Sequence, residues 1–208
     1  MFQDRRDAGR ILARALTSYR GTPGLLVLGL ARGGIPVGWE VAAHLRAPLD
    51  VLLVRKLGVP SWPELAMGAL VADSVVLDSA MIQRLGIDEQ QVDDVIDRER
   101  AELTRRTRRY RGDRPRPDVS GRTVIVVDDG MATGASMVAA VRSVADAAHL
   151  VVAVPVAPPS VCRDLAREVD RVVCISSPPR FEAVGQAFAD FRQITDDEVC
   201  ALLATPTV

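Results

Sequence analysis

Short apolar runs alternate along this chain with stretches whose apolar positions recur every three or four residues. The runs Leu25 to Leu30, Val51 to Val54, Val124 to Val127, Leu150 to Val156 and Arg171 to Ile175 predict strands. Between them the spacing predicts helices. Asp4 to Tyr19 carries Ile11, Leu12, Ala15 and Leu16 on one face, and Val37 to Leu45 forms a second helix. Asp88 to Tyr110 is the longest, with Val92, Val95, Ile96 and Leu103 as its apolar stripe and Asp88 with Gln91 as a capping box. Met137, Val138, Val141 and Val144 mark another, and Ser160 to Val169 and Thr195 to Leu203 follow. Ala31 to Pro36 reads as a turn, Val59 to Glu64 as a loop holding two prolines, and Leu70 to Leu77 as short strands in a hairpin or meander. Gly112 to Gly121, rich in Pro and Arg, is a linker. Strands alternating with helices predict an α/β fold built on a parallel sheet.

Composition narrows this picture. The 208 residues fit one domain over 1–208. Hydrophobic residues make up 48% but aromatics only 4%, which suits strands buried on both faces. A net charge of -1 gives no overall field toward nucleic acid or membrane, and no long uncharged run could span a bilayer. Cys162, Cys174 and Cys200 are too scattered for a disulfide framework or a zinc site and read as reduced thiols of a cytoplasmic protein.

Most of the chemistry sits in Thr123 to Ser136, TVIVVDDGMATGAS. A β-branched strand ends in two acids, a loop of small residues follows, and a helix begins behind it. Such a loop can wrap its amides around a phosphate, and the helix N-terminus adds unpaired N–H groups and a favourable dipole. Thr133 and Ser136 can add hydroxyls. Asp128 and Asp129 would repel a phosphate, but they suit the two hydroxyls of a ribose or a hydrated Mg²⁺. The implied ligand is a ribose 5-phosphate. Competing motifs fail on spacing: there is no G-x-x-x-x-G-K-[ST], no G-x-G-x-x-G after a strand, and Ser136 lacks the second glycine of a nucleophile elbow.

This segment resembles the signature of the type I phosphoribosyltransferases. The resemblance implies a twisted parallel sheet flanked by helices, with a small hood from about 57–68 and a second contribution from 178–192. It implies Mg²⁺-dependent transfer of ribose 5-phosphate from phosphoribosyl pyrophosphate (PRPP) to a nitrogen nucleophile, a small-molecule acceptor of nucleobase type, with release of pyrophosphate. Asp128 and Asp129 would bind the ribose and Mg²⁺, and Gly130, Met131, Ala132, Thr133, Gly134, Ala135 and Ser136 the 5-phosphate. The stretch LGLARGGIP is similar to the family's pyrophosphate loop, which assigns Ala31, Arg32, Gly33 and Gly34 to pyrophosphate and makes Ala31–Arg32 the candidate for a non-proline cis peptide. Arg32, Arg55 and Lys56 would offset the leaving charge as catalytic cations. A homodimer is expected by analogy alone.

Other readings stay open beside these. Arg32 could be a solvated arginine on a glycine turn, and Arg55 with Lys56 a solvated pair. Trp62 and Glu64 in the hood are candidates without roles. Phe181 and Val184 could flank a base or belong to the core. The arginines from Arg98 to Arg116 motivate a second function, a non-catalytic PRPP- or nucleotide-binding regulator of the same fold. Accompanying acids and missing aromatics favour a solvated face over nucleic-acid contact. One position departs from the 6-oxopurine members of the family, which carry an acid directly before the Thr-Gly pair: here it is Ala132. The resemblance therefore implies an acceptor other than hypoxanthine or guanine handled through that acid.

Overall fold

The computed structural model describes residues 1–71, 74–178 and 181–207. Helix α1 (Arg5–Ala15) leads into strand β1 (Leu26–Leu30), helix α2 (Gly34–Leu45) and strand β2 (Leu49–Leu52). Next come β3 (Val54–Val59), β4 (Trp62–Val71), β5 (Ser74–Leu77), α3 (Ser79–Leu85) and the long α4 (Glu89–Arg111). The remainder alternates strictly: β6 (Thr123–Val127), α5 (Ala135–Arg142), β7 (His149–Val156), α6 (Pro159–Leu165), β8 (Arg171–Ser176) and α7 (Asp196–Ala204).

Five parallel strands in the order β2-β1-β6-β7-β8 form the central sheet. Successive side chains on a strand point to opposite faces, so both faces must be apolar. Leu26, Leu28, Val124 and Val126 meet Met137, Val141 and Leu165 under α5 and α6. Val27, Ile125, Val127 and Val151 meet Leu12, Val37, Val41 and Leu45 of α1 and α2. Each such side chain, fully buried, contributes about 1.5–3 kcal/mol. The chain runs outward from β1 to β2 and, on the other side, from β6 to β7. The strand order thus reverses between β1 and β6, and the crevice beyond their carboxyl ends is where a sheet of this kind takes a ligand.

The second sheet is antiparallel, β3-β4-β5, and forms the hood. One face packs Leu57, Met67 and Leu70 on Val92, Val95 and Leu103 of α4 and Val199 of α7. The other lays Val54, Ala69 and Val71 on Ala139 of α5. Arg111, almost fully buried, closes the end of α4 onto β2 by donating to Asp50 Oδ1 at 3.2 Å and to the Val51 carbonyl at 2.5 Å. Among the described residues, no helix is long and apolar enough to cross a membrane, and Cys162, Cys174 and Cys200 are free.

Several elements differ from the sequence expectation. The first helix ends at Ala15, which is exposed, and Thr17–Tyr19 forms a 3-10 turn. Helix α2 starts at Gly34, before Pro36, because a first-turn proline loses no intrahelical hydrogen bond. The run Val51 to Val54 is split between β2 and β3. Val59 to Glu64 is the far end of a hairpin rather than a loop, and strands β3 to β5 reach beyond 57–68 on both sides. Helix α3 had no expectation, and α6 stops at Leu165, short of Val169. Positions 72–73, and 179–180 within the second expected hood segment, lie outside the described residues. The capping boxes of Asp88 with Gln91 and of Thr195 with Glu198 both form.

Candidate functional site

Two loops meet at the reversal point. The first leaves β6 at Asp128 and enters α5 through Gly134, which caps the helix at φ 77°. An L residue resists that conformation, and a Cβ there would stand 2.7 Å from Val161 Cγ1. Met131 has its side chain in the core and spends its N–H on the Val156 carbonyl at 3.0 Å. The N–H groups of Ala132, Thr133, Gly134, Ser136 and Met137 have no protein acceptor among the described residues, and the Ala135 N–H reaches only Thr133 Oγ1 at 3.4 Å. The Thr133 and Ser136 hydroxyls are exposed beside them. This is an anion cradle at a helix start.

The second loop leaves β1 and enters α2. Its Ala31–Arg32 peptide bond is cis. Ala31 donates its N–H to Leu52, whereas those of Arg32, Gly33 and Gly34 find no protein acceptor among the described residues. Gly33 sits against the acid pair: a Cβ there would fall 2.0 Å from Asp129 Oδ2. Its φ of -60° is ordinary, so close approach, not backbone freedom, demands the glycine. The two loops therefore share one wall, formed by Asp128 and Asp129.

That wall is short of compensation. Asp128 Oδ1 accepts from the Asp129 N–H at 2.8 Å. Burial, and then the neighbouring Asp129 charge, push the Asp128 carboxyl well above the usual carboxylate range. Burial also raises Asp129, and Arg5 pulls it back. Arg5 of α1 donates Nε–H to Asp129 Oδ2 at 2.6 Å, and both side chains are nearly buried. A carboxylate pair in excess of its partners suits a cation or hydroxyl donors. Among the described residues no group of three or more His, Cys, Asp or Glu forms a complete metal site, so any ion here would draw its other ligands from substrate and water.

The cations are placed less simply. Arg32 turns its guanidinium toward Asp196 at the start of α7, with Nη1 and Oδ1 3.6 Å apart. Asp196 also accepts from Tyr110 Oη at 2.5 Å and from Arg105 Nη2 at 3.3 Å. The Tyr110 hydrogen bond is the largest cause lowering the Asp196 carboxyl, and burial raises the Tyr110 phenol. Arg55, instead of following a strand end, lies inside β3 and faces α4, where Glu99 Oε2 accepts from Nη2 at 2.5 Å. Strand alternation puts Lys56 on the opposite face, the one laid over α5. Trp62 is 63% exposed at the far end of the hairpin, and the Glu64 side chain lies outside the described part.

Val184 reaches the loop after β6: a Cβ on Gly130 would stand 2.6 Å from Val184 Cγ1. Phe181 and Val184 both pack in an apolar cluster with Phe2, Phe188 and Phe191. Sequence reasoning missed Arg5, Asp196, Tyr110 and Glu99. Each acts across a long stretch of chain, 124 residues for Arg5 and Asp129, and no local spacing announces them.

Comparison with known proteins bears on the family and the fold. Residues 3–178 match the model of the phosphoribosyl transferase domain. Proteins of two Mycobacterium tuberculosis strains, provisionally named phosphoribosyl transferases, are each 47% identical over 98% of this chain. The chain spans about half of their length, 46%. Among solved structures, TT1426 of Thermus thermophilus is 43% identical with a TM-score of 0.82, covering 98% of this chain and 97% of that one. The purine phosphoribosyltransferase of Pyrococcus horikoshii shares the fold at 16% identity, TM-score 0.50, over 92% of each chain.

Proposed function

This chain belongs to the phosphoribosyl transferase family and has its type I fold, and from that premise we propose that it moves ribose 5-phosphate from PRPP to a nitrogen nucleophile of nucleobase type. The observation that carries the reading is the shared wall: two loops with unpaired amides meet on one acid pair, Asp129 buried and Asp128 half-buried, with Gly33 against Asp129. The amides of 132–134 and 136–137, with the Thr133 and Ser136 hydroxyls, take the 5-phosphate. Asp128 and Asp129 accept the ribose hydroxyls. The amides of Arg32, Gly33 and Gly34 take the pyrophosphate, and Lys56 adds charge from the hood.

Pyrophosphate leaves C1 through an oxocarbenium-like transition state as the acceptor nitrogen forms its bond. The protein's part is to position both groups and to stabilise the leaving charge with fixed donors. Mg²⁺, held by Asp128 and Asp129 with substrate oxygens, supplies further charge neutralisation when bound. Asp196 and Glu99 hold the Arg32 and Arg55 guanidiniums, so these side chains anchor the loop and hood to α4 and α7 in this state. A nucleic-acid role gains no support from α4, where Arg105, Arg106 and Arg109 pair with Glu102, Asp196 and Asp197.

The test is Mg²⁺-dependent pyrophosphate release from PRPP across a panel of bases and amines, hypoxanthine included. Release with one acceptor, absent in Asp128→Asn/Asp129→Asn, supports the reading and names the substrate. Full-rate, saturable turnover of hypoxanthine would contradict the inference from Ala132. PRPP binding without release from any acceptor would favour the regulator.

A further inference from the structure

We propose that Arg5 is a positioning residue for the ribose-binding acids, holding Asp129 in one orientation from beneath the site; the inference rests on the PRPP reading above. Arginine is seldom buried without a partner that demands it. Arg5 is 8% exposed and its guanidinium is fixed three ways. Its Nε–H donates to Asp129 Oδ2 at 2.6 Å, its Nη1–H donates to the Arg192 carbonyl at 2.8 Å, and its Cζ lies 3.9 Å from the Phe191 ring centroid. Planar donor geometry and ring stacking together define the plane of the group, which a point charge cannot do.

The scaffold behind it is stiff. Phe2 donates to the Ala187 carbonyl at 2.8 Å, and Ala189 and Asp190 donate back to Phe2 and Gln3, each at 2.8 Å. Phe188 packs on Phe2 and Phe191 with centroids 5.5 and 5.0 Å apart. The chain's first residues and the segment 187–192 are thus zipped together, and Arg5 projects from the zip into the site.

Arg5 and Gly33 converge on the same oxygen, Oδ2 of Asp129. No other side chain donates to Asp129 among the described residues, so Oδ1 is left to accept from a ribose hydroxyl. Without Arg5 the carboxylate would lose its anchor and could rotate away from that role.

The experiment is calorimetric titration of PRPP with Mg²⁺ into the whole chain and its variants, with melting temperature followed alongside. Arg5→Met should weaken PRPP binding about tenfold or more, the scale of one charge-assisted hydrogen bond. In an Asp129→Asn background the same substitution should change affinity by less than about twofold, because its effect passes through Asp129. Arg5→Lys keeps the charge and the fold but cannot serve Asp129, Arg192 and Phe191 together, so it should recover melting temperature more than affinity. Arg142→Met, which breaks the exposed Arg142–Glu168 pair, should leave binding unchanged. A lower melting temperature with unchanged PRPP affinity in both Arg5 variants would overturn the inference and leave the PRPP reading standing. Additive effects in the double variant would also overturn it. Absence of PRPP binding to the unaltered chain would overturn both.

Discussion

The loop after β6 and the loop after β1 lie side by side on one acid pair, but they are held in different ways. The first takes most of its shape from its own sequence: a strand, two acids, a glycine at φ 77° and a helix start, all within residues 123–137, with Arg5 on Asp129 and the Val156 carbonyl on the Met131 N–H as its ties to distant elements. The second, with the antiparallel sheet, is held by side chains from afar: Arg32 by Asp196 and Arg55 by Glu99. A phosphate cradle needs mainly backbone amides, which a local motif can supply. The loop after β1, proposed above to take the leaving pyrophosphate, is held instead by ion pairs between distant elements.

Gly33→Ala should break the comparison most sharply, by prising the two loops apart. Its Cβ would enter the Asp129 carboxylate at 2.0 Å. Overpacking of this kind costs about 1–3 kcal/mol, and PRPP affinity should fall on the order of a hundredfold. Isothermal titration beside thermal melting would show it. Near-normal affinity would mean that the shared wall does not bind the ligand.

Gly134→Ala tests the local half alone. Left-handed backbone costs an L residue about 1–2 kcal/mol, and the Val161 contact adds to it. Phosphate or PRPP binding should weaken while amide exchange in the hood, 54–71, stays unchanged. Tyr110→Phe tests the long-range half. Loss of its hydrogen bond to Asp196 should cost about 1 kcal/mol. Amide exchange should quicken in 31–34 and the end of α4 but not in 130–137. Equal quickening in both loops would erase the distinction.

The smallest effect concerns α7, which carries Asp196. Arg192, then the Thr195 amide, lower the Glu198 carboxyl from the ordinary 4.5 to about 2. A depressed carboxylate stabilises the fold above its unfolded value. That contribution should fade as pH falls from about 4.5 to about 2, and Glu198→Gln should flatten the pH dependence of melting in that window. The Glu198 side chain is 35% exposed and its partner Arg192 60%, so solvent screens the pair and the change will be slight.

The same division explains what could be read from the sequence. Asp128, Asp129, Gly134 and the alternating strands declare themselves through neighbours a few residues away, and Gly33 through its place between strand and helix. Arg55 and Lys56 were legible as charges but not as directions. Their faces depend on β3 pairing with β4, which a proline-bearing stretch disguised as a loop. Helix α3 is too short to show a period. Arg5 looks like any surface arginine in the run RRDAGR until the fold carries Asp129 over it.

The most direct test of the account is PRPP binding, with Mg²⁺, to the unaltered chain and to Asp128→Asn/Asp129→Asn. The account predicts binding by the first and a loss on the order of a hundredfold, about 3 kcal/mol, in the second, with the fold intact. Equal binding by both, or none by either, would contradict it.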